Sequence, residues 1–572
     1  MEILCFNLIL ALLVLSSIYK ATAVLIRKRL RATLTAVDDI PLLGQPRKSN
    51  ERLRGTAVIC GGSIAGLLTA RVCSDHFNDV IIVEPEEWVT TTEGFVDRHR
   101  QGPSITPPFR NRSRVPQYTC LHGYQCFMLM ALRKWFPNID IELRKVGARI
   151  GYTDQPSVHW SGIPGVPPFP LGPNTRTPKL FTLTRPALET LLRRLVIKAC
   201  PNIKYVCGTA TGLLLRENRD NTIASVRVRS QNGEDNIIST TFVVDCTGPA
   251  LGGLRWLKEL PLNSDVSTKR EKALLPFNSL KTSYNPKVAY STCEFDISPR
   301  LYAAITEIGL PIDDENIFFF VFGSDYKVDN KHFAITRRER SYVQVVCGGL
   351  DVRDRMTNVG DIKSFLSTII SARPLPEWIH RFLDILEKEC VPAVYHFHRC
   401  PPPLYVQYSR AQRLPKNFVA VGDSVLQLSP VNGCGDNIFL IQGCTKACVE
   451  AVTLNGLLAR IPSGPDRSII PNGFARTFFA LQAKRTSGSW AQHKYADYER
   501  KSTIPADGED LQTTGARQRA FGAALLRLML KDQKVAKVRF FVGHYLAPPT
   551  DLLSPAILLK LAWMLLKDHI GL

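Results

Sequence analysis

The chain has 572 residues, 45% hydrophobic and 22% charged, with Gly 37 and Pro 38 near ordinary usage; this excludes a short binding module, a disordered chain and a fibrous repeat. Lys and Arg outnumber Asp and Glu by 72 to 51, and the net charge of +21 suits a polyanionic cofactor, anionic lipid or nucleic acid without choosing among them. No zinc-finger spacing, RNA-recognition signature or basic heptad region is present, so no nucleic-acid partner is expected.

Ile3 to Tyr19 are apolar apart from Asn7, Ser16 and Ser17, and a short extension leads into the basic cluster Arg27, Lys28, Arg29 and Arg31. A bilayer span needs about 20 such residues, so residues 1–26 are expected to form a membrane anchor. The competing reading is a cleaved signal peptide at Ala21-Thr22-Ala23, but Glu2 stands where a basic n-region would be. The positive-inside rule puts everything after the anchor on the cytoplasmic side, most simply at the endoplasmic reticulum. Fifteen cysteines, an odd number without any C-x-x-C pair, agree with a reducing compartment, and no Cys/His cluster completes a metal site. Residues 27–54 read as a basic tether.

Thr56 to Cys60 is an apolar run of strand type, followed by Gly61-Gly62-Ser63-Ile64-Ala65-Gly66 and a helix-compatible segment; Asp79 to Glu84 is a second strand ending in an acid. This order is the βαβ dinucleotide fingerprint. Gly61 permits the tight turn, Ser63 is small enough for close approach of a pyrophosphate, Gly66 allows the helix to pack on the strand, and Glu84 accepts from the adenosine ribose. The Glu84 carboxylate opposes a 2′-phosphate, hence NADP, at this site. Farther on, Phe242 to Gly248 is a strand running into D-x-T-G, and Asn417 to Asp423 is another, followed by Pro430 and by Gly433-Cys434-Gly435 at a helix start.

Arg114-Val115-Pro116-Gln117 with His122, Leu183-Thr184-Arg185-Pro186, and Gly422-Asp423 with Pro430, Gly433 and Gly435 together resemble the FAD-dependent monooxygenases of the para-hydroxybenzoate hydroxylase and squalene epoxidase type. The resemblance covers about 400 residues, from Gly55 to the helix after Gly435. It implies an α/β fold: an FAD-binding Rossmann-like domain of glutathione reductase type, an inserted mixed β-sheet substrate domain and C-terminal helices. The implied cofactor is noncovalent FAD, with NAD(P)H as a transient reductant and O₂ as co-substrate. By the same resemblance Arg114 and Arg185 lie along the cofactor, Asp423 bonds the ribityl chain, and a helix opening near Gly433 aims its N–H groups at the flavin edge. Ser424, Ser429 and Cys434 depart from the usual Ala, Asn and Gln, and Pro249 and Leu251 replace the Arg and Ser often found after D-x-T-G.

The expected organisation is an FAD-binding domain from 55–270 and 416–460, a substrate-domain sheet at 271–415 and a C-terminal helical region at 461–572. Alternating runs at Lys287–Phe295, Asn316–Gly323 and Ser341–Leu350 supply the sheet. Tyr290, Phe318, Phe319, Phe320 and Tyr342 are candidate cavity walls, with core packing the commoner role; His396 and His398 are weighed in the same way. No catalytic side chain is assigned, because such chemistry belongs to the cofactor. Residues 464–515 read as a peripheral helical region or long loop. Pro555–Lys567 is too short to span a bilayer and either lies in the interface or packs on the body. Asn111-Arg112-Ser113 is a glycosylation sequon by pattern. The expected activity is epoxidation or hydroxylation of a lipophilic terpenoid or polyketide. The W-x-W-x-I-P signature of flavin halogenases is absent, while prenyl reductases and non-catalytic prenyl-protein escort proteins remain the alternatives on this scaffold.

Overall fold

The computed structural model describes residues 2–96, 112–151, 158–169, 178–217, 221–262, 274–308, 317–430, 443–462 and 470–570. Its centre is a five-stranded parallel sheet of β1 (Leu53–Cys60), β2 (Phe77–Glu84), β3 (Ile203–Cys207), β4 (Phe242–Asp245) and β5 (Phe418–Ala420), in the order β5-β4-β1-β2-β3. Parallel strands covered on both faces read as continuous apolar runs, and the last four residues of β1 and all of β4 are buried. The helix between β1 and β2, α2 (Ile64–His76), is buried on every side but one residue; it is wedged between the sheet, α3 (Arg185–Ala199) and α4 (Gly443–Ala459). A three-stranded antiparallel sheet from Thr209–Leu215, Ile223–Arg229 and Asp235–Ser239 packs on β2 and β4.

The expected mixed sheet is observed. It has seven strands, in the order Ala393–Arg399, Val288–Asp296, Tyr342–Leu350, Lys331–Arg337, Phe319–Gly323, Val158–Trp160, Ile163–Pro164. All neighbours are antiparallel except the pair Phe319–Gly323 and Val158–Trp160. The helices Pro299–Glu307, Val359–Ser367 and Glu377–Lys388 cover it, enclosing a core of its own around Phe295, Phe322, Phe333 and Phe382. Phe318 and Phe320 belong to that core, as ordinary packing predicts.

One expectation is corrected. Residues 27–54 are not a tether. The first helix, α1 (Glu2–Leu34), runs through the basic cluster, and Val37–Leu42 is a short helix whose Asp39 is buried against Arg485 (2.8 Å) and Arg460 (2.7 Å). A buried carboxylate needs such partners, and they come from the far end of the chain. Of the two readings of 464–515, a helical region or a long loop, the structure holds a helix, α5 (Phe474–Asp497), 24 residues with Arg485, Trp490, His493 and Asp497 buried. As to the expected membrane anchor, among the described residues no helix is long and apolar enough to cross a membrane. Residues 3–26 form part of one rod with the basic segment, and Arg27 ties that rod to Asp551 at 2.7 Å.

Beyond α5 come α6 (Ala516–Met529), α7 (Gln533–Gly543) and α8 (Pro555–His569). Ile557 and Leu561 of α8 pack with Leu525 and Leu528 of α6, whereas Leu559 and Trp563 are exposed. The thirteen cysteines placed among the described residues are free thiols.

His76 ends α2 and meets Asn455 of α4 at 3.0 Å. Burial holds its pKa down at about 4 against 6.5 in the open chain. Between those values the unfolded chain binds a proton that the native ring refuses, so stability is present above 6.5 and lost as pH falls towards 4. Thermal unfolding measured between pH 7 and pH 4 should fall in this window. In His76→Gln the fall should be shallower by roughly 2–3 kcal/mol; an unchanged slope would refute the assignment.

Candidate functional site

At the end of β1 the chain turns sharply at Gly61, whose φ of +117° is closed to ordinary side chains. A Cβ there would sit 2.4 Å from the Cys246 carbonyl oxygen, and one on Gly66 would sit 1.8 Å from that of Gly61. The first turn of α2 is therefore pressed directly onto the strand-to-helix turn, as the fingerprint requires. Ser63 is the N-cap of α2 but makes no capping bond; its Oγ donates instead to Glu189 Oε2 at 2.6 Å.

Glu84 closes β2, and its carboxylate is already largely engaged. The Gly62 N–H (2.9 Å) and Arg112 Nη2 (2.8 Å) donate to Oε2, and the Glu86 N–H donates to Oε1 (3.0 Å). Of about four acceptor positions on a carboxylate, one is left for a ribose hydroxyl. Burial raises the Glu84 pKa. The same guanidinium reaches Glu86 through Nε and Glu189 through Nη1, and Glu189 also accepts from Arg193 Nη2 at 2.9 Å. Burial pushes the Glu189 carboxyl up, but Arg112, Arg193 and Arg185 outweigh it and hold its pKa below the usual range. Burial likewise opposes the charge on Arg112, and its three carboxylates overcome that and raise its pKa. The sequence motif points to Arg114, yet Arg114 is exposed on the cavity rim, and Arg112, 5% exposed, is the buried hub.

Arg185 opens α3 and lies between Ser63 Oγ (3.3 Å from Nη2) and His122 Nε2 (3.3 Å from Nη1). His122 Nδ1 lies 2.8 Å from the Cys120 carbonyl oxygen. That carbonyl needs a donor, so the proton is on Nδ1 and the Nε2 lone pair faces Arg185. Burial, then Arg185, keeps this ring neutral, with its pKa well below the usual value. Arg185 Nε is buried in the cavity wall with no hydrogen-bond partner among the described residues.

The third part is the turn after β5. Gly422 adopts φ +80° and packs against Ala65 in the first turn of α2. Glu450 Oε2 accepts its N–H at 2.6 Å, and Lys446 Nζ donates to its carbonyl oxygen at 2.9 Å. Lys446 and Glu450 are fully buried and one turn apart on α4, so an ion pair grips the peptide groups on both sides of Gly422 and fixes the direction of Asp423. Burial raises the Glu450 pKa. Asp245, at the end of β4, accepts from the Thr247 N–H and hydroxyl and from the Gly253 N–H, which holds the D-x-T-G turn.

These segments enclose a cavity of about 630 Å³. Gly61, Ser63, Glu84, Arg114, Arg185, Asp423 and Pro430 all line it, and Gly66 lies behind the turn. Gly433 and Gly435 lie outside the described residues, as does Asn111, and the described helix in that region begins at Gly443. Tyr290 also reaches the cavity, its hydroxyl bonded to the thiols of Cys120 and Cys400. His396 and His398 do not line it; His398 meets Thr119 at 3.2 Å. Arg112, Glu189, Lys446 and Glu450 are the residues that motif reading misses. Arg185, Glu189 and Arg193, and separately Lys446 and Glu450, stand four apart on one helix face, and that spacing is the signal that finds Glu189, Lys446 and Glu450.

No protein-family model matches the chain. Protein Rv3254 of Mycobacterium tuberculosis is 21% identical over 449 residues, spanning 77% of this chain and 80% of its own length. Among solved structures the chain is similar to CmlS, a flavin-dependent halogenase, with a TM-score of 0.49 and 13% identity over 86% of this chain and 76% of that one. It is also similar to p-nitrophenol 4-monooxygenase PnpA from Pseudomonas putida DLL-E4, with a TM-score of 0.47 and 13% identity over 87% of this chain and 99% of that one. At these identities and TM-scores the likenesses assign no activity to this chain.

Proposed function

We propose that the protein is an FAD-dependent monooxygenase that uses NAD(P)H and O₂ to epoxidise or hydroxylate a lipophilic natural product of terpenoid or polyketide type. The observation that carries this reading is the convergence on one cavity of the Gly61–Ser63 turn, Glu84, Arg185 and the Gly422–Asp423 turn. Two orphaned buried atoms in its wall, Arg185 Nε and Gln427 Oε1, offer a donor and an acceptor to a polar cofactor. When bound, FAD supplies the two-electron reduction and O₂ activation that the chain's own side chains lack.

The chain's residues do the remaining work. The N–H groups of the first turn of α2 face the pyrophosphate, Glu84 offers its remaining acceptor position to the ribose, and Asp423, held by the Lys446–Glu450 pair, takes the ribityl hydroxyls. Arg185, fixed by Ser63 and neutral His122, sets a permanent positive charge beside the cofactor. Leu121, Val115, Pro116 and Tyr290 present an apolar side of the cavity that suits a lipophilic substrate and keeps bulk water out. The free thiols favour work in a reducing compartment.

The overall change inserts one oxygen atom of O₂ into the substrate, reduces the other to water and oxidises one NAD(P)H. Purified protein should therefore be yellow, with about one FAD per chain, and under ¹⁸O₂ the product should gain one heavy atom, read by mass spectrometry. A double bond saturated without label would make the protein a reductase. Absence of bound flavin would leave the escort-protein reading.

A further inference from the structure

A second cavity, of about 450 Å³, lies away from the first, where α5 crosses α6 and α7 beside the end of α1. One part of its lining is apolar: Leu34, Phe521, Leu525, Leu526, Met529 and Leu552. The other part is basic, with Lys484, Arg517, Arg519 and Arg539 against a single acid, Glu499. Arg519 donates to the carbonyl oxygens of Leu511, Gln512 and Thr514 and to no carboxylate. Lys484 and Arg517 form no ion pair among the described residues. Arg485, also at the wall, is already neutralised by Asp39.

Two details show that the space is left open rather than merely underpacked. Gly488 faces it from α5, and a Cβ there would meet nothing within 4 Å; glycine inside a helix costs about 1 kcal/mol against alanine, with no turn or close contact at this position to account for it. Glu499 Oε2 is buried without a hydrogen-bond partner among the described residues. Burial raises the pKa of that carboxyl, with Arg500 and Arg519 acting against the rise. An apolar slot of this size closed by a cluster of cations is complementary to one kind of molecule.

We infer that this second cavity binds a long-chain fatty acid, with the acyl chain among Leu525, Leu526 and Met529 and the carboxylate among Lys484, Arg517 and Arg519. The inference does not rest on the flavin reading. It does bear on the first cavity, because α5 also donates from Gln482 Nε2 to the Ala420 carbonyl oxygen at 3.1 Å, two residues before Gly422. The two cavities thus share one helix.

The test uses the purified, delipidated full chain and the fluorescent fatty acid cis-parinaric acid. Saturable binding of about one probe per chain is expected. Gly488→Leu fills the slot from a helix position with open space beside it, so the variant should fold with an unchanged or higher Tm and bind the probe at least about tenfold more weakly. The pair Lys484→Glu and Arg517→Glu, both at exposed positions, should weaken binding several-fold, and the uncharged methyl ester should bind weakly to every form. Absence of saturable binding to the wild type would overturn the inference. So would equal binding by wild type and Gly488→Leu, which would mean adsorption to the exposed apolar faces of α1 and α8 or entry into the first cavity.

Discussion

Gly66→Val should lose about 3 kcal/mol or more of stability and retain no bound FAD. The contact behind this expectation is severe: even the first added carbon would lie 1.8 Å from the Gly61 carbonyl oxygen, inside any van der Waals distance. Relief requires α2 to lift from β1, and α2 is buried between the sheet, α3 and α4. An interior packed this closely cannot absorb the displacement locally. The N–H groups of the first turn would move with the helix and leave the pyrophosphate position. Gly488→Ala is the matched control, because it too adds one carbon to a helical glycine but into open space, and it should raise stability by roughly 1 kcal/mol. Thermal unfolding with flavin absorbance per chain reads both effects. Equal Tm and equal flavin content in Gly66→Val and wild type would dispose of the dinucleotide assignment.

Arg112→Met is expected to be nearly as damaging, with a distinctive dependence on pH. It removes the one side chain that touches Glu84, Glu86 and Glu189 together. Glu189 would keep Arg193, but Glu84 would remain buried with backbone donors alone. Stripping a partner from a buried charge costs about 3–5 kcal/mol. The sign follows from Glu84, left behind without its cation: its folded pKa rises further above the unfolded value of 4.5, so the penalty of the substitution is absent below that value and grows as pH rises through the folded one. Urea unfolding should therefore show a wild-type-to-variant gap that is smaller near pH 5 than at pH 8. Arg112→Lys should recover only part of it, since an ammonium cannot match a planar fork that reaches three partners at once. A gap independent of pH would mean that Arg112 contributes packing rather than charge.

What could be read from the sequence was local. The turn from Gly61 to Gly66 and the acid at Glu84 lie within one βαβ unit, so their spacing alone places them, and the apolar runs at Val288–Asp296 and Tyr342–Leu350 mark strands that the structure buries at nearly every residue. The hub at Arg112 was hidden because its partners stand 26, 28 and 77 residues away, and a neighbouring arginine sat in a more familiar motif. Asp39 shows the same limit at greater range. In a segment rich in Arg and Lys it reads as one more solvated charge, whereas its partner Arg485 is 446 positions later.

The strand order β5-β4-β1-β2-β3 has a consequence for how the protein is made. As the chain leaves the ribosome, β1 to β4 are available by residue 245, but the outer edge of β4 has no neighbour until Phe418–Ala420 arrives. Five strands of the seven-stranded sheet must be synthesised in between, and α4, which carries the Lys446–Glu450 clamp, comes later still. A nascent chain therefore spends a long stretch of its elongation with a bare apolar strand edge, the state in which sheet proteins associate wrongly. The cavity is thus among the last features to be completed, and shortened products of translation would carry the fingerprint without the means to use it.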